Sequence, residues 1–372
     1  MIISLFVLPD LLYAQEEEDK KLTFKGDFRF RIEEDWSSRK SDGTYRENRT
    51  RLRYRGRLGA YYKYNKRVSF GMGFRTGLSN KQQDPQLTLG DGPIEFGTLP
   101  FSIEKMYFRY KSDVVEFWLG KNNFPFEKQN ELFWSDNVFP EGVFFSATKK
   151  IEGSFLSAVS FKASHFVINT SGNSLGRDKY FQGVQLLANM LDKNLKVFPS
   201  FYYFNSLPDI PDGLGTYAIT YPIFHLGTSY RIKEEPHLKV GADYYHNLAD
   251  YSQEVLIPVE LRDQKDGLVV NFSIGKPEEK GDWTARIVYT YLQRYAAVDF
   301  FAQNDWTRWD YSSVGSPDGR LTNFRGLELM LGYMIDKKIK LNTRYFIVQQ
   351  LIPYGISTET GQRIRFDLDI AF

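Results

Sequence analysis

Cysteine is absent from this 372-residue chain, and no apolar run approaches the length of a membrane-spanning helix. Without cysteine the chain has no disulfide framework, no thiol nucleophile and no thiolate metal site. A helix crossing a bilayer needs about 20 mainly apolar residues, so transmembrane helices are excluded. Neither sign of charge is in large excess. The formal net charge of +2 identifies no partner, and we expect none among nucleic acids.

Aromatic residues, in contrast, are abundant, with 31 Phe and 24 Tyr. Residues 22–32 alternate without a break between an apolar and a polar face. Leu22, Phe24, Phe28, Phe30 and Ile32 lie on the apolar face, and Thr23, Lys25, Asp27, Arg29 and Arg31 on the polar one. A period of two over this length predicts a β-strand whose two faces meet different solvents.

The next segment, residues 49–62, repeats the alternation with a ladder of arginines. Arg49, Arg51, Arg53, Arg55 and Arg57 point one way, and the other face carries Thr50, Leu52, Tyr54, Gly56, Leu58, Ala60 and Tyr62. One face suits lipid and the other suits water.

Fourteen further segments alternate in the same way, which gives about sixteen strands in total. They cover 68–76, 103–110, 114–120, 142–149, 153–167, 180–190, 195–204, 217–232, 237–247, 266–275, 282–294, 322–335, 339–350 and 362–372. Short connectors follow the even-numbered strands and long ones the odd-numbered strands. The long ones lie near 33–48, 77–102, 121–141, 168–179, 205–216, 248–265, 295–321 and 351–361.

This asymmetry of tight turns and long loops is typical of bacterial outer-membrane barrels, with both chain ends on the short-turn side. We therefore predict an all-β, antiparallel up-and-down transmembrane barrel of about 16 strands. Closure is required because an open sheet edge in hydrocarbon leaves backbone groups without partners. Barrels of this size enclose an aqueous lumen. A soluble β-sandwich is disfavoured because its core would need inward faces with far less charge.

The domain organisation follows from the first residues and from the absence of a linker. Residues 1–14 are apolar and end in Leu12-Tyr13-Ala14 before an acidic stretch, which predicts a signal peptide, although no basic residue precedes the apolar part. Residues 15–372 are then one barrel domain.

Two stretches resemble known proteins. The final strand, residues 363–372, alternates and ends in Phe372, as do the last strands of bacterial porins. Residues 120–126, 134–137 and 140–143 contain a Gly-basic-Asn-Pro segment, an aromatic-acid pair and a Pro-Glu-Gly turn, and resemble the Gram-negative "putative porin" family.

The resemblance implies a passive diffusion channel for small hydrophilic or anionic solutes in the outer membrane. It also implies contact with the lipid bilayer and lipopolysaccharide, and recognition of Phe372 by the barrel-assembly machinery. A homotrimer is left open.

Charged residues on the water face are the candidate pore lining. The Arg ladder, joined by Lys25, Arg29 and Arg31, would form a basic column that concentrates anions. In the alternative interpretation, these arginines only solvate the wall and are neutralised by Asp27, Asp367 and Asp369.

The third long loop, 121–141, supplies the opposite charge through Glu127, Glu131 and Asp136. The resemblance implies that this loop folds into the lumen, where its acids would face the Arg column. The alternative is an outward-facing loop packed on a neighbouring loop.

Other functions are less well supported. His165, His225, His237 and His246 are the only histidines, and none stands near a serine in the manner of an outer-membrane phospholipase. No phosphate loop or metal-ligand cluster is visible, so we expect no enzyme activity, no cofactor and no metal. A lumenal aromatic path for sugars has only Tyr61, Trp118 and Phe346 as scattered candidates. A channel selective for acidic oligosaccharides or phosphate, and a non-conducting anchor or adhesin barrel, stay open.

Overall fold

The computed structural model describes residues 21–80, 82–91, 96–153, 155–172, 174–208, 217–306 and 321–372. The signal peptide predicted for 1–14 lies outside these residues and stays a prediction. In the described part of the chain, no helix has the length and apolarity to cross a membrane.

Sixteen long strands build the fold, and a two-residue strand, Leu87–Thr88, lies in a loop beside the second of them. The long strands are β1 Leu22–Arg39, β2 Arg49–Lys63, β3 Val68–Thr76, β4 Phe101–Lys111, β5 Val115–Lys121, β6 Glu141–Lys150, β7 Leu156–Asn169, β8 Lys179–Met190, β9 Leu195–Pro208, β10 Ala218–Lys233, β11 Leu238–Asn247, β12 Asp266–Gly275, β13 Trp283–Leu292, β14 Phe324–Asp336, β15 Ile339–Gln350 and β16 Thr360–Ala371.

Each long strand pairs antiparallel with its neighbours in sequence, and β1 closes the sheet by pairing with β16. Phe30 lies opposite Leu368 on one side and Tyr54 on the other. The prediction of a closed, antiparallel barrel of 16 strands is confirmed.

The two faces of the wall separate as the alternation requires. Large apolar side chains such as Phe24, Phe28 and Ile32 are exposed on the outside, where lipid would cover them. Their neighbours on the inner face of the same strand are charged, and Arg31 and Glu33 are buried among other lumenal groups.

The connectors alternate between short and long, as predicted, but the first long loop is shorter than expected. The strand predicted to end at residue 32 continues to Arg39, so this loop covers only 40–48. The extension is stabilised by opposite charges across the strand pair, because Glu33 lies opposite Arg51 and Asp35 opposite Arg49.

Part of the barrel interior is an aromatic core, which the expectation of an aqueous lumen did not include. The inner faces of strands β5 to β11 carry buried rings that pack on rings of the loop 122–140. The wall rings are Trp118, Phe144, Phe166, Phe181, Tyr202, Phe204, Tyr221 and Tyr245. The loop contributes Phe124, Phe126, Phe133 and Trp134.

Candidate functional site: the narrowing of the barrel interior

The loop between β5 and β6, residues 122–140, lies inside the barrel against the wall. Phe133 is sandwiched between Tyr202 and Tyr245, with ring centroids 4.8 and 5.1 Å away. Trp134 stacks on Phe124 at 4.4 Å. Burying a large apolar side chain contributes about 1.5–3 kcal/mol, so these rings hold the loop firmly inward.

Polar side chains of the wall fix the loop backbone as well. Gln185 of β8 accepts a hydrogen bond from the Glu127 backbone N–H at 2.8 Å and donates one to the Glu127 carbonyl at 3.0 Å. Asp243 of β11 accepts from the backbone N–H of Gln129 at 2.9 Å and from the Asn130 side-chain amide at 2.5 Å. These contacts set the loop's height within the barrel.

Two further loops meet the first one inside the barrel. The Ser135 N–H donates to the Phe301 carbonyl at 2.7 Å, and the Gln303 N–H donates to the Glu131 carbonyl at 3.0 Å. The Gln83 amide donates to the Ala302 carbonyl at 2.8 Å. Segments 77–80, 82–91, 122–140 and 293–306 therefore form one hydrogen-bonded narrowing.

The loop acids selected from the sequence lie on two sides of the loop. Glu127 faces the wall and pairs with Lys196 of β9 at 2.7 Å. Asp136 pairs with Lys128 of the same loop at 2.5 Å, and its backbone N–H donates to the Glu131 carboxylate at 3.0 Å. Burial and the neighbouring Asp136 carboxylate raise the pKa of Glu131.

The Arg ladder lies on the inner face of β2, and each of its members is within salt-bridge distance of a carboxylate. Arg49 pairs with Asp35, Arg51 with Glu33, Arg53 with Asp84, Arg55 with Asp27 and Arg57 with Glu104. Arg57 also donates to Asn137 of the loop at 2.7 Å.

Exposure divides the ladder into two groups. The side chains of Arg49, Arg51 and Arg57 keep 29%, 22% and 20% of their surface accessible, whereas Arg53 and Arg55 keep 8% each. The accessible members are therefore the arginines of the ladder that a solute can contact directly.

The three basic residues of β1 also differ in pairing and exposure. Arg29 pairs with Asp369 at 2.5 Å, and Arg31 with Asp367 at 2.6 Å. Lys25 is exposed near the start of the strand. All three carboxylates named in the alternative interpretation therefore pair with arginines, Asp367 and Asp369 with β1 and Asp27 with Arg55 of β2.

Asp305, which the sequence analysis did not select, is the centre of a second charged group. It contacts Arg365 of β16, and Arg344 and Arg31 lie 3.4 and 4.0 Å away. Burial alone would raise the pKa of Asp305, but the surrounding arginines, Arg365 foremost, lower it well below its usual range. The residue lies in a predicted loop, and no local pattern in the sequence marks it.

A cavity of about 160 Å³ lies between the loop and the opposite wall. The wall side includes Arg286 of β13, Glu328 of β14 and Arg344 of β15. Arg286 donates to Glu328 at 3.2 Å and Arg344 donates to the same carboxylate oxygen at 2.6 Å. The loop side includes Glu131 and Asp136. The wall bases that share this cavity with the loop acids are thus Arg286 and Arg344, and Lys128 of the loop also lines it.

The barrel wall contains a histidine hydrogen-bonded to a serine and an aspartate. His225 lies beside a serine, with Nδ1 3.2 Å from the Ser200 hydroxyl and Nε2 2.9 Å from Asp243. All three side chains are buried, and the loop covers Asp243 through Gln129 and Asn130. A substrate has no access to the serine, so the chain of hydrogen bonds serves to fix the wall and the loop.

Two of the scattered aromatic candidates for a sugar path are covered. Trp118 stacks on Phe166 at 5.5 Å, and Phe346 packs on Trp306 at 5.3 Å; both are buried. Neither presents an open ring face to a solute.

Comparison with known proteins gives a consistent result. A family model described as "Putative porin" matches residues 43–212 and 211–372. No curated protein matches the sequence.

Several solved structures share the fold. OprB of Pseudomonas putida at high pH has 11% identity and a TM-score of 0.57 over 95% of each chain. OmpF of Salmonella typhi in complex with daunomycin has 10% identity and a TM-score of 0.55 over 94% of this chain and 97% of that one. A loop L8 deletion mutant of OmpT of Vibrio cholerae has 12% identity and a TM-score of 0.52 over 94% and 99%.

Proposed function

The chain belongs to the putative porin family, and from this we propose that small hydrophilic solutes diffuse passively through it with a mild preference for anions. The family and the fold identify an outer-membrane porin channel, and point to a channel and away from an enzyme. The preference among solutes is our own inference.

The anion preference is supported by one observation: several arginines in ion pairs keep part of their side-chain surface accessible. Arg49, Arg51 and Arg57 of β2 and Arg286 of β13 remain 20–32% accessible. Arg286 and Arg344 share the carboxylate of Glu328, so positive charge is in local excess there. Excess positive charge along a narrow aqueous path concentrates anions.

We place the solute path on the charged side of the interior. The aromatic cluster fills the space next to strands β5 to β11, while the inner faces of β1, β2 and β13 to β16 carry the ion pairs. Lys25, Arg29, Arg31 and the ladder would line this path, and Glu131 and Asp136 would face it from the loop. Glu127 is engaged with Lys196 on the opposite side.

The test is the reversal potential of the purified protein in a planar bilayer under a KCl gradient at low salt, where screening is weak. The double variant Arg49→Gln/Arg51→Gln removes two accessible charges, and Arg53→Gln/Arg55→Gln removes two buried ones as a matched control. We expect the first pair to lower the anion-to-cation permeability ratio more than the second. Equal ratios in wild type and both variants would contradict the anion proposal and leave the channel intact.

The remaining partners rest on the family resemblance. Phe372 forms two backbone hydrogen bonds with Gly26, at 2.9 and 3.0 Å, which places the terminal aromatic at the seam of the barrel. This position is compatible with recognition of Phe372 by the barrel-assembly machinery before closure. That recognition and contact with lipopolysaccharide are predictions, and the homotrimer stays open.

A further inference from the structure

The cavity between the loop 122–140 and the wall of β13 to β15 has two ends of opposite charge. On the loop side, Lys128 balances one of the two carboxylates of Glu131 and Asp136. On the wall side, Glu328 balances one of the two guanidiniums of Arg286 and Arg344. One end therefore keeps a net negative charge and the other a net positive charge.

The second carboxylate near the wall does not cancel this excess. Asp305 contacts Arg344 at 3.4 Å, but it also pairs with Arg365 and lies 4.0 Å from Arg31. Arg286 has Glu328 as its carboxylate neighbour at 3.2 Å and keeps 32% of its surface accessible, so its guanidinium is free to bind a further anion.

The rest of the lining suits a small solute with an apolar body. Leu132, Val288 and Trp306 supply apolar surface, and the amides of Gln129 and Gln303 supply neutral donors and acceptors. The volume of about 160 Å³ suits a compact molecule.

We propose that this cavity is a binding site for small zwitterions of the amino-acid class, with the carboxylate at Arg286 and Arg344 and the ammonium at Glu131 and Asp136. The inference rests on the proposed channel function and adds a solute that saturates the flux. A pure anion would satisfy only the wall end, and its charge would be repelled by the loop acids. A pure cation would satisfy only the loop end, and its charge would be repelled by the wall arginines.

The test measures solute uptake into proteoliposomes containing the full chain, with four probes of nearly equal size. Alanine carries both charges, lactate only the carboxylate, alaninamide only the ammonium and lactamide neither. We expect alanine flux to saturate at a concentration where lactamide flux is still linear. Lactate and alaninamide would saturate at about tenfold or higher concentration, because each loses one charged contact.

Two variants then test the roles of the wall end and the loop end of the cavity. Arg286→Gln and Asp136→Asn should each raise the half-saturating alanine concentration about tenfold or more. The matched control is Arg231→Gln, which removes a guanidinium of similar accessibility, 33%, from the end of β10 outside the cavity and should leave that concentration unchanged. Asp136 is highly exposed at 68%, so its variant tests the site with little risk to folding.

Conductance of the same preparations in KCl distinguishes failure of the zwitterion site from failure of the channel function. Open channels with identical, unsaturated flux of all four probes would overturn the zwitterion site and leave the porin function standing. An equal effect of Arg286→Gln and Arg231→Gln would also overturn the site. Absence of both conductance and flux would overturn the channel function itself.

Discussion

Removing the two central rings of the inward loop should widen the channel. Phe133 lies between two wall rings, Tyr202 and Tyr245, and Trp134 contacts Phe301 of a neighbouring loop at 4.6 Å. The double variant Phe133→Ala/Trp134→Ala eliminates these contacts and leaves the polar anchors of the loop in place.

The magnitudes indicate that the loop would no longer stay docked all the time. Each truncation of a buried Phe or Trp costs about 3–5 kcal/mol, and the pair costs somewhat less than the sum because the two residues are neighbours. The anchors at Gln185 and Asp243 contribute about 0.5–1.5 kcal/mol per hydrogen bond, and up to about 3 for those to the Asp243 carboxylate. The two rings therefore contribute about as much as the four hydrogen bonds to Gln185 and Asp243 together.

The assay is single-channel conductance in a planar bilayer. We expect larger conductance steps and more open-channel noise in the double variant. The control is Phe201→Ala/Phe224→Ala, which removes two rings that lie opposite each other on the outer face of β9 and β10. Unchanged steps in a variant that still runs as a folded, heat-modifiable barrel would refute the idea that this loop narrows the path.

Three further predictions concern single residues. The raised pKa of Glu131 means that its charge is lost above the ordinary value of 4.5, so the cation share of the current should fall as the pH approaches 4.5 from above. Identical titrations of wild type and Glu131→Gln would contradict this. The lowered pKa of Asp305 means that its stabilising contribution is complete above 3.8 and lost only at lower pH. Asp305→Asn should therefore cost about 3–5 kcal/mol in denaturant unfolding at pH 7 by removing the carboxylate that Arg365, Arg344 and Arg31 share, and an unchanged midpoint would refute it. A Cβ at Gly120, whose φ is +112°, would lie 2.4 Å from the Met106 carbonyl oxygen, so Gly120→Ala should lower the folded fraction on gels, whereas Gly56→Ala, with 3.8 Å to its nearest neighbour, should not.

Most of the fold was predictable because a barrel wall in lipid imposes a strict period of two. Strands such as 22–32 show that period in the sequence, and the terminal alternation of 362–372 identifies the closing strand. The end of β1 was misplaced because Glu33 and Asp35 are charged residues of the type that also fills loops. Their stabilising partners, on β2, become visible only when the register is known.

The site was less predictable because its contacts connect residues far apart in the sequence. The ladder on β2 was evident from periodicity, but its carboxylate partners include Asp84 and Glu104 from other segments. Asp305 has no local signature, and its role depends on arginines of β1, β15 and β16. A signal for the aromatic core does exist, since β9 carries rings on both of its faces, including Tyr202 inward and Phe201 outward.

The central claim is that a water-filled path crosses this barrel, and the most direct test is the conductance of the wild-type protein at several KCl concentrations. A water-filled diffusion channel predicts discrete steps whose size rises in proportion to the conductivity of the bulk solution. An absence of steps from a preparation shown to be folded and inserted would contradict the account, because the three loops would then close the barrel completely.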